Sequence, residues 1–273
     1  MKVAAIQMVS STRLADNLAC ARRLLDQAAA QGAELAVLPE YFCLMGHRDD
    51  DKLAIREPYG DGPIQSFLAE AARERSLWIA GGTLPLEASP AQDGRVRNSL
   101  LVYSPNGEVA ARYDKLHLFR FDNGRESYDE ARVLQPGDRP TRFALPSRDG
   151  FVWQIGLSVC YDLRFPELYR WYAREGADLL LAPSAFTDVT GRAHWELLLR
   201  TRAVENLCWM LAAAQGGQHE NGRRTWGHSM AVDPWGQIVA QLDSGEGVVL
   251  ADLEHSRLTE CRQSLPALGH RRL

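Results

Sequence analysis

The sequence predicts an α/β fold in which two packed β-sheets lie between outer layers of helix. Three observations carry that expectation. Helix-like and strand-like segments alternate along all 273 residues, with no long Pro/Gly/Ser-rich or single-charge stretch to mark a linker. Short turns such as Pro105-Asn106-Gly107 and Asp233-Pro234-Trp235-Gly236 join some strands directly, so antiparallel pairs must coexist with strands connected through helices. With about ten strands expected, two packed sheets are favoured over one very wide one. The third observation is an internal echo: Gly32-Ala33-Glu34-Leu35-Ala36-Val37-Leu38-Pro39-Glu40 parallels Gly176-Ala177-Asp178-Leu179-Leu180-Leu181-Ala182-Pro183-Ser184. Each copy follows a helical period, opens on a glycine suited to a helix C-terminal cap, and stops at a proline that cannot continue a ladder. Residues 1–273 are expected to form a single domain.

The elements follow in order. Residues 1–9 pair an early lysine, Lys2, with an apolar run, as a signal peptide would, but the run is short and interrupted by Gln7, so a buried first strand over 3–9 is expected. Leu14, Leu18, Ala21 and Leu25, with Asp16, Arg22, Arg23 and Asp26 between them, then follow the 3.6-residue period of an amphipathic helix over 13–31. Further helices are expected near 63–75, 166–175, 194–206 and 254–262. Strands are expected near 34–38, 77–81, 98–103, 108–113, 152–159, 178–182, 208–214, 227–232, 237–242 and 247–253.

Charge and cysteine usage narrow the function. With 31 basic and 35 acidic residues and no basic block, the chain lacks the electrostatic footprint of a nucleic-acid binder. No stretch approaches the roughly 18 apolar residues that suggest a membrane span. The five cysteines, Cys20, Cys43, Cys160, Cys208 and Cys261, stand singly, which argues against a disulfide framework or a zinc ribbon and suits a reducing cytoplasm.

Cys160 is the thiol in a chemically suggestive place. An apolar strand over 152–159 ends on it, and Pro166 then fits the first position of a helix whose first turn also holds Glu167. A cysteine in a tight strand-to-helix connection is lifted out of the sheet, where unpaired backbone N–H groups can favour its thiolate; the alternative is a small buried hydrophobe. A nucleophilic thiol needs a proton handler and an oxyanion stabiliser. Two charged residues also sit at strand ends, Glu40 after Leu35-Ala36-Val37-Leu38-Pro39 and Lys115 after Val109-Ala110-Ala111-Arg112-Tyr113-Asp114. Partial desolvation would fit Glu40 for acid and base work, and Lys115 would supply fixed positive charge. Taken singly, each could equally be a solvated loop residue. A Cys–His dyad is a weaker alternative, and His117, His194 and His228 form no metal-spaced pair.

Three blocks now stand in order: Leu38-Pro39-Glu40-Tyr41-Phe42, Tyr113-Asp114-Lys115-Leu116-His117-Leu118-Phe119, and Ser158-Val159-Cys160-Tyr161-Asp162-Leu163-Arg164-Phe165-Pro166-Glu167. Together they resemble the nitrilase, or carbon–nitrogen hydrolase, superfamily. Pro183-Ser184-Ala185-Phe186 and Gly227-His228-Ser229-Met230-Ala231-Val232-Asp233-Pro234-Trp235-Gly236 extend the likeness over nearly the whole chain. The resemblance implies a four-layer α-β-β-α sandwich that assembles as a homodimer or larger homo-oligomer. It implies Glu40 as general base and acid, Lys115 and the backbone N–H of Tyr161 as oxyanion stabilisers, and Cys160 as nucleophile, with no metal or organic cofactor. A second glutamate of the family falls on Glu130, with Glu126 as the competing position. Within the superfamily the likeness is to the Nit subgroup, above all its amidases of deaminated glutathione, with ω-amidases acting on α-ketoglutaramate as the alternative. Both substrates are small amides carrying a carboxylate, for which Arg164 and Arg202 are the candidate readers. Tyr41, Phe119, Tyr161 and Phe186 are the candidate pocket wall. A non-catalytic binding scaffold is the reading of another class.

Overall fold

The protein was analysed as a computed structural model, which describes residues 1–88, 94–124 and 127–272. In chain order the strands are β1 (Lys2–Gln7), β2 (Leu35–Val37), β3 (Trp78–Ala80), β4 (Leu84–Glu87), β5 (Val96–Tyr103), β6 (Val109–Asp114), β7 (Arg120–Asp122), β8 (Ser127–Asp129), β9 (Arg142–Pro146), β10 (Val152–Leu157), β11 (Leu179–Leu181), β12 (Trp209–Ala212), β13 (Gly216–Gln218), β14 (Arg224–Trp226), β15 (Ser229–Val232), β16 (Ile238–Leu242) and β17 (Gly247–Asp252). The α-helices are α1 (Leu14–Ala30), α2 (Pro63–Arg75), α3 (Pro166–Arg174), α4 (Asp188–Asn206) and α5 (His255–Ser264).

Two large sheets result. One runs β17-β1-β2-β3-β5-β4 with β6 also paired to β5, and the other runs β16-β15-β12-β11-β10-β9. The echoed segments become β2 and β11, each the middle strand of a parallel trio: β2 lies between β1 and β3, and β11 between β10 and β12. Antiparallel strands flank both trios, as the short turns require.

Side-chain alternation fixes the layers. Val3, Ala5, Leu35 and Val37 point into the core shared with the second sheet, whereas Ala4, Ile6, Ala36 and Leu38 pack with Leu25 of α1 and Leu68 of α2 in a separate core. A one-residue slip would exchange these faces, and each fully buried aliphatic side chain is worth about 1.5–3 kcal/mol, so the register is firmly held. On the far side, Tyr169 and Tyr172 of α3 and Trp195 and Leu199 of α4 are buried against the second sheet, which completes the α-β-β-α sandwich.

Two departures from the sequence expectation bear on the site. The helix expected at 194–206 begins at Asp188, because the Thr187 hydroxyl accepts the Thr190 N–H at 3.2 Å and caps it. The short hairpins β7-β8 and β13-β14 were not expected, since three-residue strands leave too few positions to show a period.

Candidate active site

Every predicted chemical residue lies where a strand has just ended. Cys160 follows β10 and takes φ +50°, a left-handed conformation that a residue with a Cβ adopts only when its surroundings impose it. The imposing group is Asp162. Its buried carboxylate accepts the Val159 N–H at 2.8 Å, the His117 N–H at 3.1 Å and the Tyr113 hydroxyl at 2.7 Å. The Cys160 N–H donates to the Pro183 carbonyl at 3.0 Å, tying the elbow to the end of β11. Tyr161 stands in the first turn of a short 3₁₀ helix, Cys160–Arg164, where backbone N–H groups lack intrahelical partners.

Glu40 follows β2 through a turn that Gly82 makes possible. At φ +57°, Gly82 passes so close that an added Cβ would lie 2.1 Å from the Pro39 carbonyl oxygen. Tyr41 is also left-handed, at φ +56°, and its N–H donates to Thr83 Oγ1 at 2.9 Å. Gln215, just beyond β12, donates to the Glu40 carbonyl oxygen at 3.1 Å and joins the two sheets at this end. Lys115 follows β6; its backbone carbonyl accepts from Gly137, at which a Cβ would meet the Asp114 carbonyl oxygen at 2.1 Å.

These turns bring Glu40, Lys115, Glu130 and Cys160 together. Lys115 Nζ lies 2.8 Å from Glu40 Oε1 and 2.9 Å from both Glu130 carboxylate oxygens, with its side chain fully buried. Asn98 Nδ2 donates to Glu40 Oε1 at 3.0 Å and the Ala185 N–H to Glu40 Oε2 at 3.1 Å. Glu130 accepts the Tyr41 hydroxyl at 2.6 Å and the Phe119 N–H at 2.7 Å. Glu126, the competing position, lies outside the described residues.

The electrostatics follow from one cation facing two carboxylates. Burial raises Glu40 above the ordinary carboxylate range; Lys115 opposes the rise and the negative charge of Glu130 adds to it. Burial also works against charge on Glu130 and Lys115, but their mutual attraction, with the Phe119 and Tyr41 donors on Glu130, outweighs it, leaving Glu130 depressed and Lys115 raised. Burial and then the Glu40 charge push the Cys160 thiol up, against the pull of Lys115. A raised carboxylate beside a raised thiol is a pair between which a proton can pass in either direction.

Cys160, Glu40 and Glu130 open into a cleft of about 720 Å³, counted out to solvent. Tyr41, Phe119, Tyr161, Arg164 and Phe186 all line it. Arg164 lies over the Tyr161 and Phe186 rings at 5.7 and 5.6 Å. Arg202 is elsewhere: its guanidinium is buried and bonded to the Leu163 carbonyl and to Glu205. His117 is engaged with Asp162 at 2.7 Å and stacked on Phe165, and His228 is stacked on Trp226. His194 lies 3.3 Å from both terminal guanidinium nitrogens of Arg164. The sequence reading missed Asn98, which sits in a strand with nothing to single it out, and the cations Lys52 and Arg223 at the mouth.

Comparison with known proteins gives the family. A carbon–nitrogen hydrolase family model matches residues 2–263. The chain is 40% identical over 270 residues to the deaminated glutathione amidase of Synechocystis sp., covering 98% of this chain and 97% of the relative. It is 36% identical to the human omega-amidase NIT2, covering 99% and 95%. Among solved structures, Saccharomyces cerevisiae Nit3, a member of branch 10 of the nitrilase superfamily, superimposes with a TM-score of 0.87 at 30% identity, covering 100% of this chain and 97% of that one. A shared family model, full-length identity and a common fold place this chain in the carbon–nitrogen hydrolase family.

Proposed function

We propose that the protein is an amidase that hydrolyses a small carboxylate-bearing amide through a thioester on Cys160, and that deaminated glutathione is its substrate. The observation that carries this reading is the buried Glu40–Lys115–Glu130 cluster facing a thiol held on a strained elbow at the floor of a cleft. Cys160 Sγ attacks the amide carbon while its proton passes to Glu40. The oxyanion is stabilised by Lys115 Nζ and the Tyr161 N–H, donors fixed before the charge develops. The C–N bond then breaks as Glu40 returns the proton to the leaving amine, which departs as cysteinylglycine. Water, giving its proton to Glu40, attacks the thioester, and the products are the 2-oxo acid and the Cys160 thiol. Glu130 positions Lys115, and Tyr41, Phe119, Arg164 and Phe186 form the binding wall. No metal or organic cofactor enters these steps.

The likeness to the human omega-amidase supports a second reading, in which α-ketoglutaramate is the substrate and ammonia leaves. Purified protein incubated with each amide separates them: cysteinylglycine release supports the first, and turnover of α-ketoglutaramate alone supports the second. A chain that turns over neither, and acquires no acyl adduct on Cys160, would be a binding scaffold.

We infer that residues 1–273 act as one domain, in the cytoplasm, as a homodimer or larger assembly. Five free cysteines suit a reducing compartment. Leu197 and Val204, seven residues apart on one face of α4, are 66% and 44% exposed, and Trp235 nearby is 52% exposed. Such a patch favours a partner surface, and sedimentation at micromolar protein tests for it.

A further inference from the structure

The mouth of the cleft holds a cation that the mechanism does not use. Lys52 lies in the 3₁₀ segment Asp49–Ile55, and its ammonium sits over the Tyr41 ring, 4.6 Å from the centroid. It makes neither a hydrogen bond nor an ion pair with the described residues. Beside it, Arg223 is engaged: it bonds Asp49 at 2.6 Å and lies over the Tyr128 ring at 5.3 Å. Asp49 therefore has a partner, while Lys52, equally part of the cleft lining, has no carboxylate partner among the described residues. Burial lowers Lys52 from the ordinary lysine range, with Glu130 and Asp49 opposing, as expected of an ammonium short of hydration and of anionic partners.

The wall on which Lys52 stands decides what it can meet. Arg164 ends the short 3₁₀ helix that Cys160 and Tyr161 begin, beyond β10, and lines the cleft beside the thiol. Lys52 covers Tyr41, the residue after Glu40, the group that protonates the leaving amine in the proposed mechanism. An amide lying across Cys160 with its acyl portion toward Arg164 would bring its amine portion toward Glu40 and Lys52.

We infer that Lys52 is a specificity-determining residue that binds a carboxylate on the amine side of the scissile bond, so that the cleft is matched to amides carrying one carboxylate on each side. The inference rests on the proposed amidase function. Deaminated glutathione has this form, with a 2-oxo acid on one side and the glycine carboxylate on the other. α-Ketoglutaramate has only the first carboxylate and leaves Lys52 unengaged.

The test compares KM and kcat for both amides in wild type, Lys52→Met and Lys52→Arg. A charge-assisted contact of this kind corresponds to about a tenfold to hundredfold effect. Lys52→Met is expected to raise KM for deaminated glutathione by that factor, with a far smaller change for α-ketoglutaramate, and Lys52→Arg is expected to recover most of the loss. An equal fall in kcat on both amides would mean that Lys52 acts through Tyr41 and Glu130, and unchanged KM ratios would mean that it binds nothing; either result overturns the inference. Wild type that hydrolyses neither amide would instead overturn the amidase reading, a failure recognisable before any variant is made.

Discussion

Lys115 Nζ lies 2.8 Å from Glu40 Oε1 and holds Glu130 on its other side through two contacts of 2.9 Å, so a single buried cation is shared by two carboxylates. Each carboxylate has two further donors, Tyr41 and Phe119 on Glu130 and Asn98 and Ala185 on Glu40, but Glu130 takes two of the three contacts with Lys115. The asymmetry divides the labour. In the proposed mechanism Glu130 stays ionised and fixes the lysine, while Glu40 exchanges a proton with Cys160.

Removal of the cation should be costly in two ways. Lys115→Met leaves two buried carboxylates without their counter-charge, for which a loss of about 3–5 kcal/mol is expected. Urea denaturation should show a lower midpoint, and amide turnover should fall by at least about a hundredfold from loss of an oxyanion donor. A variant that keeps wild-type stability would contradict the description of Lys115 as the centre of the buried charge balance.

The pH dependence has a defined sign. In the proposed mechanism Glu40 must be ionised to receive the thiol proton, and its carboxyl is raised, so kcat/KM should fall on the acid side through a pKa above the ordinary glutamate value of about 4.3. The negative charge of Glu130 contributes to that rise. Glu130→Gln should therefore move the acid limb to lower pH, alongside any loss in rate. A pH profile of kcat/KM in both proteins checks this, and an upward shift would be the wrong sign.

Asp162 does not line the cleft yet holds the backbone beside Cys160. Asp162→Ala removes the acceptor for Val159 N–H, His117 N–H and the Tyr113 hydroxyl, and should cost about 3 kcal/mol or more. Thermal melting reads the stability loss. Turnover per folded molecule, measured well below the melting temperature, should fall as well, because Cys160 would no longer be held at φ +50°. Full turnover in the folded fraction would show that the elbow is maintained without Asp162.

Much of this site is legible in the sequence, because Glu40, Lys115 and Cys160 each stand just past a segment whose strand character is plain. The echo around residues 32–40 and 176–184 likewise marks the central strands of the two sheets. What escaped the sequence did so for physical reasons. Asn98 is one buried polar residue in an eight-residue strand, and only the close packing of β5 against the Glu40 turn gives it a partner. Lys52 lies in a 3₁₀ segment among three aspartates and reads as a solvated face until Tyr41 is found beneath it. Arg202 stands in a segment suited to substrate recognition, but tertiary packing commits its donors to Leu163 and Glu205. Glu130 is followed by the Pro136-Gly137 turn, which packs directly on Asp114 and Lys115.

The most direct test of the account is the intact mass of the protein quenched during amide turnover, followed by peptide mapping, in wild type and Cys160→Ala. The account predicts a wild-type adduct equal to the acyl portion of the substrate, located on Cys160, and no adduct and no turnover in Cys160→Ala. Turnover that persists in Cys160→Ala, or an acyl group found on any of the other four cysteines, would contradict it.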